Sequence, residues 1–323
     1  MSFLVKFTRK SLILIIVMMI VYVAFAFYTD IGKLSRTTLK IDYLTIPLIV
    51  APMTMTILLL GFRFHRFLKA INIRISIKNS ILIYIAGLSL AVTPGSSGQI
   101  IKSKIMEKHF GYAISKTSPI ILVEKWNELC ASLLILIISV AINLIFESIL
   151  IIMIGIPIAV FLFSMMRYRT IFNSFKKIVL RLPRLRTFEE SIENSQDSLK
   201  VLSSRKVVAE GIIITMPAMI FQAISVYFAF HALGIKIDFI LSTQIFYVAL
   251  ISGILSFLPG GLVVTEGSMA ALLLKYYNHD LAGLAGAVIF VRLVTLWYPT
   301  LLGIIVGQFI MKYKNILIGQ DRK

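Results

Sequence analysis

Six apolar runs of membrane-spanning length, and two more that break at Pro-Gly, leave this chain few ways to fold. In hydrocarbon every backbone N–H and C=O must be bonded within the chain, so a run of about 20 apolar residues becomes a helix. The runs at 12–28, 44–62, 117–146, 148–166, 207–233 and 284–310 read as full spans. The interrupted runs are 80–93, followed by Pro94-Gly95-Ser96-Ser97-Gly98-Gln99, and 240–258, followed by Pro259-Gly260-Gly261-Leu262-Val263-Val264-Thr265-Glu266. As a helix, 80–93 reaches about 21 Å against a hydrocarbon core of about 30 Å, too short to cross straight. Its return arm, 99–110, carries Lys102, Lys104, Glu107 and Lys108, so it rises back to the side it left. The spacing predicts a re-entrant hairpin over 80–110 with its tip at 94–98. A second is predicted over 240–277 with its tip at 259–261, although its first arm is long enough to span.

Composition excludes most other classes. Hydrophobic residues make up 58% of the chain and the mean hydropathy is +0.91, which no soluble domain shows. The longest polar segment, 167–206, is too short for its own core. The net charge of +18 fits cytoplasmic loops and contact with anionic inner-leaflet lipids. No nucleic-acid partner is expected, because no basic soluble domain exists to carry one. The single cysteine, Cys130, reads as packing. His65, His109, His231 and His279 lack metal-ligand spacing, and no nucleophile elbow, Walker loop or dinucleotide fingerprint occurs. No cofactor, metal or catalytic residue is therefore expected. Lys6, Arg9 and Lys10 before the run 12–28 have the look of a signal peptide, and Ala24-Phe25-Ala26 that of a cleavage site. The run's length favours a first retained span.

Charge sets orientation. Arg63, Arg66, Lys69, Arg74 and Lys78 follow the second run, 167–206 holds ten Lys/Arg against four Asp/Glu, and Lys312, Lys314, Arg322 and Lys323 end the chain. These segments and both termini are expected in the cytoplasm of a plasma-membrane protein. The assignments close only if each hairpin returns to its own side, the first opening to the cytoplasm and the second to the exterior. The halves 1–146 and 147–310, with a cytoplasmic tail at 311–323, then form inverted-topology repeats. Allowing two extra residues in the second copy, Gln99 falls on Glu266 and Lys125 on Arg292. The expected fold is an all-α membrane protein of six full spans plus two re-entrant hairpins. Within 167–206, Ile171, Phe172, Phe175, Ile178, Val179 and Leu182 recur at helical spacing. Such an amphipathic helix lies either on the inner leaflet or on the protein's own cytoplasmic face.

The chemistry concentrates at the breaks. Pro94, Gly95, Gly98, Pro259, Gly260 and Gly261 free backbone amides where a half-helix begins, and such an N-terminus attracts phosphate or carboxylate. About thirty residues past each break, a cation lies in an apolar helix: Lys125, then Arg292. Arg holds a phosphate with two parallel hydrogen bonds, whereas Lys acts as a point charge. Each cation can instead snorkel towards the interface or form a structural ion pair with Glu124, Glu128 or Glu266. Glu124 and Glu128, at i and i+4, share a helix face. A buried carboxylate could balance these cations, receive an amino group, or take up a proton. Gln99, equivalent to Glu266, cannot ionise.

At these residues the chain resembles the lysylphosphatidylglycerol synthase transmembrane-region family, the membrane half of the bacterial multiple peptide resistance factor. That family shows Pro-Gly-x-x-Gly-Glu, Glu-Arg-x-x-Asp, Pro-Gly-Gly-x-Gly-x-x-Glu and a late helical Arg. Here the motifs read Pro94 to Gln99 with Gln for Glu, Glu124-Lys125-Trp126-Asn127-Glu128 with Lys for Arg and Glu for Asp, Pro259 to Glu266 with Val263 for Gly, and Arg292. The resemblance implies a flippase that moves a phosphate-headgroup lipid between leaflets: an aminoacyl-phospholipid, a polyprenyl-phosphate sugar or a related polar lipid. Pro94, Gly95, Gly98, Gln99, Glu124, Lys125, Glu128, Pro259, Gly260, Gly261, Glu266 and Arg292 would bind it. Synthase activity is not implied, since the family's separate soluble domain has no counterpart in these segments. An intramembrane enzyme acting on lipid headgroups, or a non-transporting partner of a lipid-modifying or glycosyltransferase enzyme, stands as the alternative.

Overall fold

The computed structural model describes residues 44–93, 98–179, 193–256, 258–277, 281–312 and 317. No strand occurs among them. Five helical stretches are long and apolar enough to cross a membrane: Thr45–Ala70, Ile114–Ile142, Phe146–Arg167, Arg205–Ala232 and Leu284–Ile310. They coincide with five of the six expected runs; the run 12–28 lies outside the described residues. This is an integral membrane protein.

The first described span, α1 (Thr45–Ala70), runs eight residues beyond the expected end at Phe62. Arg63 therefore opens no loop. Its guanidinium is fully buried and bonded to side chains of other helices, which lets the helix continue past a charge. The chain then turns into α2 (Ile77–Leu88), started by Ser76, whose hydroxyl accepts a hydrogen bond from Asn79 N at 3.2 Å. Twelve residues give about 18 Å, well short of the core. Turns carry the chain to Thr93; Pro94, Gly95 and the rest of the first tip up to Ser97 lie outside the described residues. A short turn from Gly98 leads into α3 (Ile101–Phe110), which stops at Gly111 with φ of 74°. The one-turn helix α4 (Ile114–Thr117) and α5 (Pro119–Ile142) complete the first half.

The span α6 (Phe146–Arg167) leads to α7 (Arg169–Val179), where Phe172 is buried and Ile171 packs on the same core. The start of this helix thus docks on the protein itself. After α8 (Gln196–Leu202) comes the span α9 (Arg205–Ala232). Asp238 caps α10 (Phe239–Leu255) by accepting from Leu241 N at 2.9 Å. A single turn at Pro259–Gly261 then reverses the chain into α11 (Val264–Tyr277). The Lys236 N–H donates to the Tyr277 hydroxyl at 2.8 Å, so both feet of this hairpin stand together. The last span is α12 (Leu281–Arg292), a π-helical segment Leu293–Trp297, and α13 (Tyr298–Lys312).

The helices α1 and α9 pack antiparallel. Ser225 donates to Ile49 O at 2.7 Å, Thr56 to Ala218 O at 2.9 Å, and Arg66 bonds Glu210, so α1 descends as α9 rises. Each hairpin rests on the late helix of the other half. Gly303 of α13 lies against the backbone of α2: a Cβ there would stand 2.7 Å from Ile85 O and 2.8 Å from Leu88 C. On the other side Gln244 of α10 donates to Asn143 O at 2.8 Å and accepts from Ser148 Oγ at 2.7 Å, clamping the turn between α5 and α6. Outward positions such as Met153, Val160, Phe161, Ile305 and Phe309 are exposed and apolar, as a lipid-facing surface requires.

Candidate functional site

Glu266 sits in the first turn of α11, and Arg292 ends α12. Counted from the foot of each helix, both lie about 16 Å along it. They meet there. Arg292 Nε donates to Glu266 Oε1 at 2.7 Å, and Arg292 Nη2 donates to Gly260 O. Both side chains are almost wholly buried. The π-helical turn immediately after Arg292 widens the helix at this point, a distortion common where a helix must aim a functional side chain.

Backbone freedom builds the receiving end. Gly260 and Gly261 have φ of 62° and 67°, the left-handed region that glycine enters at little cost. That turn points Gly260 O at the guanidinium. Gly253 and Gly261 also press on each other and on Thr265: a Cβ at Gly261 would stand 2.6 Å from Thr265 Oγ1 and 3.1 Å from Gly253 Cα. The same tip touches the first hairpin. A Cβ on Gly260 would lie 3.4 Å from Val92 Cγ1, and Val92 and Trp297 form a small buried cluster with Leu262 and Leu296. On the first hairpin, Gly98 N donates to Thr93 Oγ1 at 2.6 Å, which folds the chain tightly on the far side of the break.

The first hairpin brings its own charges. Lys102, at the deep end of α3, donates to Gln99 Oε1 at 3.1 Å and to the carboxylate of Glu124 on α5. Its ammonium is 5.1 Å from the ring centres of both Phe64 and Tyr84, and its stem lies over Gly87, where a Cβ would collide with it. Arg63 Nη2 donates to Glu128 Oε1 at 2.9 Å and lies 4.0 Å from Glu124 Oε1. Arg63 Nη1 donates to Thr215 Oγ1 at 2.9 Å. Lys125 Nζ donates to Glu128 Oε2 at 2.7 Å. Arg63, Lys102 and Glu124 are buried, whereas Glu128 is 18% and Lys125 34% exposed.

The expected site residues therefore fall into two groups. Gln99, Glu124, Lys125 and Glu128 share one network, with Gly98 at the turn that leads into it. Pro259, Gly260, Gly261, Glu266 and Arg292 share the other. For both named cations the ion-pair alternative is what the geometry displays. Sequence reasoning missed Arg63 and Lys102, the deepest cations of the first network. Gln99 and Lys102 at i, i+3 are a weak helical signal for the second; for Arg63 the sole hint is that apolar residues continue on its far side. Among the described residues no group of His, Cys, Asp and Glu could hold a metal ion.

The lysylphosphatidylglycerol synthase TM region family matches residues 11–303. Over 339 residues the chain is 22% identical to the UPF0104 membrane protein PH1989 of Pyrococcus horikoshii, covering 97% of this chain and 100% of that protein. Two relatives from Methanothermobacter thermautotrophicus, each called UPF0104 membrane protein, match over shorter stretches. One is 27% identical over 37% of this chain and 35% of its own length, the other 30% identical over 42% of each. With a match over that much of its length, the chain belongs to the lysylphosphatidylglycerol synthase TM region family.

Proposed function

We propose that this protein is a lipid flippase, carrying a phosphate-headgroup lipid between leaflets by alternating access. One observation carries the reading: two networks of paired, largely buried charge lie beside two helical hairpins that touch at Val92 and Gly260. Ionised groups inside a membrane are expensive and mark a polar path. Pairing each cation with a carboxylate lowers the cost at rest and leaves a guanidinium or ammonium that a phosphate can capture. The displaced carboxylate then takes up a proton or an amino group of the headgroup, which keeps the interior near neutral.

In this reading the halves are inverted repeats with both termini cytoplasmic in the plasma membrane. The antiparallel α1/α9 pair and the reciprocal seating of each hairpin on the opposite half support that symmetry. Rocking of the hairpins about the Val92–Gly260 contact opens the path alternately to each leaflet. The protein acts as a carrier and not as an enzyme. His65 does meet Ser80 at 3.0 Å, but among the described residues no carboxylate is bonded to that imidazole to orient it as a base. In proteoliposomes, Arg292→Ala is expected to abolish translocation of fluorescent phospholipid while the protein still reconstitutes as a monodisperse species. Unchanged flipping by that variant refutes the role given to Arg292.

A further inference from the structure

The first network is not balanced, and its imbalance specifies a ligand. Arg63, Lys102 and Lys125 bring three positive charges, while Glu124 and Glu128 bring two negative ones. By contrast, Arg292 and Glu266 bring one each. An excess positive charge inside a membrane is costly unless an anion joins it. The hydrogen-bond accounts point the same way. Arg63 Nε, Glu124 Oε1 and Asn127 Oδ1 are buried without a hydrogen-bond partner. Arg63 is 0%, Glu124 1% and Asn127 0% exposed. One of these atoms is a donor that wants an oxygen; two are acceptors that want an N–H or O–H. All three belong to facing helices: Glu124 and Asn127 are one turn apart on α5, and Arg63 reaches them from α1 while bonding Thr215 on α9. Asn127 Nδ2 is already spent on Val123 O at 2.8 Å, so only its carbonyl is available. Glu128 and Lys125 are the two members reached by solvent or lipid, at 18% and 34% exposure.

We infer that this network is the headgroup-selecting site, and that it takes a phosphodiester monoanion carrying hydroxyl donors in preference to a zwitterion. The phosphate oxygen accepts from Arg63 Nε and cancels the surplus charge. Hydroxyls on the headgroup donate to Glu124 Oε1 and Asn127 Oδ1. A zwitterionic head supplies the donors but leaves the net charge where it was. The inference rests on the carrier reading for its lipid source, but the chemistry is that of the site alone.

The test is binding measured apart from transport. The protein in phosphatidylcholine nanodiscs is titrated, with thermal stabilisation and native mass spectrometry as readouts, with three lipids of identical chains. These are phosphatidylglycerol (a monoanion with hydroxyls), phosphatidylethanol (a monoanion without them) and phosphatidylethanolamine (a zwitterion with donors). Phosphatidylglycerol is expected to bind about tenfold more tightly than phosphatidylethanolamine, with phosphatidylethanol between them. Asn127→Ala, which gives up a hydrogen bond only within its own helix, should erase the gap between the two monoanions. Arg63→Gln, which brings the network to zero charge with every carboxylate still paired, should erase the preference for anions. Glycerophosphoglycerol, the same head without chains, separates a soluble ligand from a lipid: a shift equal to that from phosphatidylglycerol would overturn the assignment to a lipid headgroup. Equal binding of all three lipids, or a preference that both variants retain, overturns the inference. Translocation of the same lipids is scored separately. Selective binding without flipping would sink the carrier reading and leave this site standing; flipping without selectivity would do the reverse.

Discussion

The pair Arg292–Glu266 offers a stringent test, because the two ways of removing it should differ by several kcal/mol. Arg292→Gln leaves the buried Glu266 carboxylate without its 2.7 Å partner, and leaves Gly260 O without the guanidinium. Breaking a buried pair from one side costs about 3–5 kcal/mol, since the surviving charge must protonate or draw in water. Arg292→Gln combined with Glu266→Gln removes both charges together, and replacing a buried pair by neutral groups is often close to neutral. The double variant should therefore lie within about 1 kcal/mol of the parent, and, with Glu266→Gln alone costing about as much as Arg292→Gln, the cycle should report a coupling of at least about 5 kcal/mol. An ordinary interhelical hydrogen bond in a membrane gives only about 0.6 kcal/mol in such cycles, so the outcome separates an ion pair from a mere polar contact. Titration with sodium dodecyl sulfate from mixed micelles supplies the free energies, and Trp297, five residues from Arg292, supplies a local fluorescence signal. A double variant less stable than Arg292→Gln, or a coupling below about 1 kcal/mol, would refute the argument.

Four further outcomes follow from the packing and the first network. Gly303→Ala forces a methyl against Ile85 O, Leu88 C and Ser89 N, backbone atoms that cannot step aside, and should cost about 1–3 kcal/mol in the same titration. Gly267→Ala, with nothing within 4 Å, should be neutral or stabilise by up to about 1 kcal/mol. In the first network, Lys125→Gln should change stability by less than about 1 kcal/mol, since Glu128 keeps Arg63 and Lys125 is a third exposed. Arg63→Gln should cost about 1–3 kcal/mol, less than Arg292→Gln, because no carboxylate loses its last cation.

Much of the architecture was legible in the chain itself. Apolar runs predict spans because lipid forces backbone bonds to close locally, and five such runs are helices of spanning length. Pro-Gly after an apolar run predicts a reversal, and α10 and α11 make one whose feet share a hydrogen bond between Lys236 and Tyr277. The charged site was only half legible. Glu266 and Arg292 stood out because each is a lone charge amid apolar residues. Arg63 and Lys102 sit beside other cations, so they read as loop and return arm under a rule that counts charge along the chain.

What the sequence alone determined is where the chain must be helical and where it must break, since both follow from nearest-neighbour chemistry in a solvent that satisfies no backbone group. Which charges enter the membrane was decided by tertiary structure. Arg63 is admitted by Glu128 and Thr215, and Lys102 by Glu124, all on other helices. A cation is tolerable at that depth only when a carboxylate from a distant segment arrives beside it, and that meeting is a property of the packed helices and not of any run of residues.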